Sequence, residues 1–167
     1  VLTGGDAENF MEMRKMDRPV TDRGELGRIV DACQIIRIAT SDDEGLYIVP
    51  MNFGYDWQDT RLTLYVHSPR EGRKTVAFRK NPSVAFEMDD GHDFAGEQPA
   101  CRYGFRYRSI VGNGHIVELA DPDEKAHGLR ALMRRFSNRS FAFSEKMLAV
   151  VSVFRIDVTG FTGKTHY

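Results

Sequence analysis

The chain has 167 residues, one domain's worth at roughly 150 residues per domain, and at 41% apolar and 28% charged it is too apolar for a disordered protein. Lys and Arg number 23 and Asp and Glu 24, so the net charge of -1 offers no basic excess for a nucleic-acid-binding domain. No apolar run approaches the roughly 18 residues of a membrane span, and the N-terminus lacks the basic start and apolar stretch of a signal peptide.

These priors predict a cytoplasmic protein with no nucleic-acid and no membrane partner. Cys33 and Cys101 are far apart and fit no C-x-x-C pattern, so two free thiols are expected, not a disulfide scaffold or a cysteine zinc site. The first residue is Val, and the opening residues have no periodicity. Residues 1–12 read as a disordered tail or cloning remnant, and residues 13–167 as a single domain.

Thr21 is a candidate helix cap, followed by an apolar face at Leu26, Ile29, Val30 and Cys33. Ile35 to Thr40 reads as a strand. Ser41 to Gly45 reads as a turn ending in the glycine a hairpin wants. Leu46 to Tyr55 is the next strand, interrupted at Pro50; proline cannot donate to a ladder, so Pro50 marks an edge, a bulge or a place where a ligand meets the backbone. Asp56 to Asp59 reads as a turn. Arg61 to His67 alternates cleanly, with Leu62, Leu64 and Val66 on one face and Thr63, Tyr65 and His67 on the other. Glu71 to Arg79 reads as a short helix with Val76 and Phe78 partly buried, stopped by Asn81-Pro82.

Ser83 to Met88 is the fourth strand, and Asp89 to Pro99 reads as a polar loop. Tyr107 to Leu119 is a long fifth strand, bent or closely approached at Gly112 and Gly114. Asp121-Pro122-Asp123-Glu124 has the cap, proline and acid of a helix start, and Leu129, Leu132, Met133 and Phe136 give its apolar face. Ser144-Glu145-Lys146 opens one more helical turn. Leu148 to Val158 is the sixth strand. Six strands joined mostly by hairpin-length turns, with about three helices, predict a mainly β fold: an antiparallel sheet or barrel with flanking helices.

One local feature is rich in chemistry. In Tyr65 to Lys74 a strand ends at a hydroxyl, Ser68, and a helix begins a few residues later with Arg73 and Lys74 in its first turn. Cations there oppose the helix dipole unless an anion joins them, which is the composition of a phosphate site. A solvated basic patch running on to Arg79 and Lys80 has the same composition. Asn52, after Val49-Pro50-Met51, is a poor strand residue whose amide suits either a planar heterocycle or its own backbone. Arg106 and Arg108 share a strand face opposite Tyr107 and Ser109. They would hold an anion, or pair with Asp89 and Asp90 as an exposed edge. His67 reads as a general acid, a ligand contact or a half-buried histidine. The five histidines show no metal-ligand spacing, so no metal is expected. There is no Walker loop, no dinucleotide fingerprint and no G-x-S-x-G elbow.

Taken in order, Ile48 to Tyr55, Tyr65 to Ser68, Glu71 to Lys74, Arg106 to Ile110 and Thr162 to Lys164 resemble the flavin-binding split-barrel, or pyridoxamine 5'-phosphate oxidase-like, superfamily. Within it they resemble most the 5-nitroimidazole-resistance family. The resemblance runs from about Met13 to Lys164. It implies a six-stranded antiparallel split barrel, paired as a homodimer, with FMN in clefts at the subunit interface. Val49, Pro50, Met51 and Asn52 would lie along the isoalloxazine, and His67 and Ser68 near the ribityl chain and ring. Gly72, Arg73 and Lys74 would hold the phosphate. Arg108 and Ser109 would approach the flavin pocket, from the same chain or from the partner subunit. His67 would be the candidate proton donor. The implied activity is reduction of a small electron-poor, nitroaromatic-type acceptor by NAD(P)H. A flavin carrier or sensor without turnover and a haem protein liganded through His67 or His115 are the alternatives. The chain ends just past the last strand, without the C-terminal segment that grips pyridoxal phosphate in the oxidase itself.

Overall fold

The structure, a computed structural model, describes residues 19–96 and 98–166. The tail expected at residues 1–12 and the side chain of Cys101 lie outside the described residues.

Strand β1 is the pair Pro19–Val20, and helix α1 spans Arg23–Ala32. Asp22, one residue after the expected Thr21, caps α1 by accepting from the Glu25 N–H at 2.8 Å. Leu26, Ile29 and Val30 bury its inner face. Strands β2 (Ile35–Asp42) and β3 (Gly45–Asn52) form a hairpin in which Arg37 faces Pro50. Pro50 does not interrupt β3; it stands on an edge strand, one of the places expected for it, where a missing N–H is tolerated.

The break falls at Phe53 instead, and β4 (Gly54–Gln58) takes in part of the expected Asp56–Asp59 turn before β5 (Arg61–Pro69). Helix α2 covers Arg73–Lys80; Phe78 is fully buried there and Val76 is exposed. Strand β6 runs Ser83–Ala95, so much of the expected polar loop is strand, continued through a register shift between Asp90 and Asp93. A 3-10 turn at Ala100–Arg102 leads to β7 (Gly104–Glu118). Asp121 caps α3 (Pro122–Met133) through the N–H groups of Asp123 and Glu124, at 2.9 and 3.0 Å. Ser144 caps the short α4 (Glu145–Ala149), and β8 (Val151–His166) closes the sheet. The described residues hold eight strand segments against six expected, because Phe53 divides one strand and β1 adds another.

All pairings are antiparallel, in the order β3-β2-β6-β7-β8-β5-β4, with β1 also on β8. The two edge strands, β3 and β4, are joined through one residue, the fully buried Phe53. Consecutive Cα atoms lie about 3.8 Å apart, so the sheet must curl until its edges nearly meet. The antiparallel barrel expected from the turn lengths is therefore present. Ile36, Ile38, Met51, Leu64, Phe86, Met88 and Ile156 fill its interior.

Helix α3 lies across β4 and β5 over a second apolar cluster of Tyr65, Leu119, Ala131 and Val153. Asp56 on β4 fastens it, taking hydrogen bonds from His127 and, at 2.7 Å, from Arg134. Arg135, just past α3, places its guanidinium 4.3 Å from the Phe53 ring. It also donates to the backbone carbonyls of Val30, at 3.0 Å, and Cys33. Among the described residues no helix is long and apolar enough to cross a membrane.

Gly54 is the tightest point of this seam. A Cβ there would sit 2.3 Å from the Leu132 nitrogen and 2.4 Å from the Ala131 carbonyl carbon, both backbone atoms of α3. Gly54→Ala must push the helix off the sheet. The expected loss is about 3 kcal/mol by chemical denaturation, whereas Gly27→Ala on α1, where nothing lies within 4 Å, should not destabilise.

Candidate functional site

Strand alternation sends His67 outward and Ser68 inward. The buried Ser68 hydroxyl lies 3.2 Å from that of Thr75, which donates to the Pro69 carbonyl at 3.1 Å. These bonds fix the short connection from β5 into α2. Gly72, the N-cap residue, has φ 130° and ψ 163°, a conformation open to glycine but not to ordinary residues. No side chain caps α2, and its first turn holds no acid. Its free N–H groups, the helix dipole and two cations all favour an anion there.

The two cations are not equivalent. The Arg73 guanidinium meets Asp42 at 2.6 and 3.0 Å and Glu44 at 3.1 Å, and lies 4.5 Å from the Tyr47 ring. The β2–β3 turn therefore holds Arg73 in place. Sequence spacing gave no sign of this, because 31 residues separate Arg73 from Asp42. Lys74 has no ion pair among the described residues. Its charge still acts: desolvation first, then Lys74, pulls the His67 pKa below its ordinary 6.5. Both effects favour the neutral imidazole.

On β3 the expected ring-binding residues divide by face. Val49 and Met51 are buried in the barrel, so only their backbone is open to a ligand. Pro50 and Asn52 point outward, as do Ile48 and the 92%-exposed Leu46. The Asn52 amide makes one long contact, 3.5 Å, to the Gln34 carbonyl. It can turn to a planar partner at little cost.

Arg108 and Ser109 lie on β7 between β6 and β8, not on an edge. Asp89 and Asp90 are their strand partners, and Arg108 is ion-paired with Asp90. Residues Ala39 and Ala85 are paired, which puts Asp42 three residues beyond that level and Asp90 five residues beyond it the other way. Along the strands the Arg73 end and the Arg108 end are thus about eight residues, or roughly 25 Å, apart. One group of expected residues gathers where α2 starts: His67, Ser68, Gly72, Arg73 and Lys74. Arg108 and Ser109 stand at the far end, and Asn52 lies nearer to them than to Lys74.

Sequence spacing also missed a polar cluster on the α3 face. Three hollows of about 410, 410 and 330 Å³ lie there, drawing on Asp56, Tyr65, His127 and Arg155. None includes an expected cofactor residue. Burial pushes the Asp56 pKa up, but the hydrogen bonds from His127 and Tyr65 and the charge of Arg134 bring it below the ordinary carboxylate range. These groups satisfy one another and fasten α3. The Cys33 thiol is buried and free, and burial with the charges of Asp90, Asp89 and Glu87 pushes it up to about 12, which makes it inert.

Residues 22–165 match the family model described as pyridoxamine 5'-phosphate oxidase. A crystal structure from Bacteroides thetaiotaomicron, provisionally named a 5-nitroimidazole antibiotic resistance protein, is 30% identical, with a TM-score of 0.77 over 88% of this chain and 86% of that one. An FAD and haem binding protein from Mycobacterium smegmatis is 23% identical, with a TM-score of 0.75 over 88% of this chain and 72% of that one. A flavocytochrome from Azotobacter vinelandii is 16% identical, with a TM-score of 0.76 over 93% of this chain and 72% of that one. These last two likenesses show the fold alone. No curated protein matches the chain at a significant level.

The Lys74 effect on His67 has a direct readout. In Lys74→Met the His67 titration followed by NMR should move up toward 6.5, because the repelling cation is gone. An unchanged midpoint would place Lys74 away from His67.

Proposed function

The chain belongs to the pyridoxamine 5'-phosphate oxidase family, and on that footing we propose that it binds FMN and passes electrons from NAD(P)H to a small electron-poor acceptor of the nitroaromatic kind. The observation that carries this reading is the start of α2. It combines an uncapped N-terminus, a glycine at φ 130°, no acid in the first turn and a lysine without an ion pair among the described residues. That donor set suits a phosphate dianion.

Lys74 and the first-turn N–H groups would hold the phosphate. Arg73, kept in place by Asp42 and Glu44, would border it and keep the site from being over-charged when empty. Pro50 would meet the ring from the outer face of β3, with the backbone of Val49 and Met51 on either side; the Asn52 amide stands at the Arg108 end and, if it meets the same ring, comes with Arg108 from the partner subunit. Ser68 is already bonded to Thr75, so it would shape the site from below. When bound, FMN would supply the redox chemistry between reductant and acceptor. A phosphate beside Lys74 would offset its charge, raise the His67 pKa and make His67 a better proton donor.

The roughly 25 Å between the Lys74 and Arg108 ends supports a site completed by a second chain. If both ends touch one cofactor, Arg108 and Ser109 come from the partner subunit of a homodimer. The competing reading is flavin carriage without turnover. The lowered His67 pKa favours it, because it leaves less of the protonated imidazole to act as a proton donor.

The visible spectrum of the purified protein, before and after adding FMN, tests the proposal. A two-band flavin spectrum retained after removal of excess FMN is the expected result. A Soret band would assign haem instead, and a colourless protein would rule out both. Replacing Arg73 and Lys74 together by Ala should weaken FMN binding about tenfold or more, and an unchanged affinity would place the phosphate elsewhere. Steady-state turnover with NAD(P)H and a nitroaromatic separates the enzyme from the carrier.

A further inference from the structure

We propose that Glu44 is a built-in stand-in for the ligand's phosphate: its carboxylate occupies the edge of Arg73 that a phosphate takes, and it yields that edge on binding, while Asp42 stays and holds the guanidinium. This rests on the reading of the α2 start as the phosphate site.

The tip of the β2–β3 hairpin is fastened to both ends of α2. At the C-terminal end Asp43 pairs with Lys80, and the Asn81 amide donates to the Ser41 hydroxyl at 2.8 Å. At the N-terminal end the tip reaches Arg73, and there its two acids are not equivalent. Asp42 accepts from Nε and Nη2 of the guanidinium at 2.6 and 3.0 Å, the paired grip of a carboxylate on one edge of the fork. Its side chain is only 12% exposed. It also accepts from the Glu44 N–H at 2.9 Å, which fixes the turn. Glu44 reaches the remaining nitrogen, Nη1, by a single contact of 3.1 Å, and its side chain is 76% exposed.

A guanidinium has two edges that can each hold two oxygens, Nε with Nη2 and Nη1 with Nη2. Asp42 fills the first. The second is held only at Nη1, by Glu44. A phosphate that takes the second edge displaces one exposed contact, and exposed ion pairs are weak. A phosphate that takes the first edge must break the paired grip of a largely covered acid. The second edge is therefore the one a ligand wins. The Tyr47 ring, 4.5 Å from the guanidinium, supports Arg73 during the exchange. Asp42, Asp43 and Ser41 keep the tip docked, so one side chain moves and the strand does not. Two neighbouring acids thus act on affinity in opposite directions: Glu44 competes with the ligand, and Asp42 positions the cation that receives it. Repulsion by an acidic tip as a whole would give both the same sign.

That difference in sign is the test. Dissociation constants are measured for FMN, by flavin fluorescence, and for inorganic phosphate, by NMR of the amides of residues 72–74, in wild type, Glu44→Gln and Asp42→Asn. Glu44→Gln, an exposed change at a turn that spares the fold, should bind both about threefold more tightly. Asp42→Asn should bind both about threefold more weakly, or worse. Tighter binding by both variants overturns the stand-in, because charge alone then explains the tip. Equal affinities in all three proteins, or weaker binding by Glu44→Gln, also overturn it and leave flavin binding in place. The expected pattern for phosphate in a protein that binds no FMN supports the stand-in and removes the cofactor reading. A protein that binds neither overturns both. In wild type, added phosphate should shift the carboxyl carbon signal of Glu44 and leave that of Asp42 in place, and the reverse overturns the proposal.

Discussion

The chain crosses from one edge of its sheet to the other in a single residue. Phe53 links β3 to β4, and these strands stand at opposite ends of the hydrogen-bonded order. A flat sheet cannot satisfy that linkage, so the barrel is covalently imposed and the packing then stabilises it. The Arg135 guanidinium covers the Phe53 ring and gathers the last carbonyls of α1. Gly54 lets the backbone of α3 come down onto the seam. With the seam closed, β3 remains an edge whose outer face, Leu46 to Asn52, is open along its length.

The site follows from the same constraint. One end of the barrel is capped by α2, with its cations and free N–H groups. The other end carries Arg108 and Ser109, and the outer face of β3 runs between them. A ligand with an anionic end and a planar end would match that spread. The strands hold the two ends apart, so no side-chain rearrangement within one chain brings them together. In the proposed homodimer a second chain would do so without deforming either barrel.

Much of this was legible in the residues. Alternation in Arg61 to His67 placed His67 outside and Leu62, Leu64 and Val66 inside, and Asp121-Pro122 marked the start of α3. The pairing of basic residues with a helix start marked the candidate anion site. Other features were hidden for physical reasons. The polar run Asp89 to Ala95 looks like a loop, because a ribbon exposed on both faces needs no apolar alternation. Pro50 pointed to an edge, a bulge or a ligand contact, and the strand order selects the edge, because only the assembled sheet says which strand is outermost. Asp42 meets Arg73 where α2 packs against β2, and Asp56 meets His127 where α3 packs on β4. No local spacing encodes where a helix docks on a distant strand.

Sedimentation velocity, followed at the flavin absorbance rather than that of protein, bears most directly on the shared site. Across a dilution series in limiting FMN, the account predicts that colour travels only with the dimer, at one flavin per chain, and is released as the dimer dissociates. Flavin colour sedimenting with a single chain would contradict it.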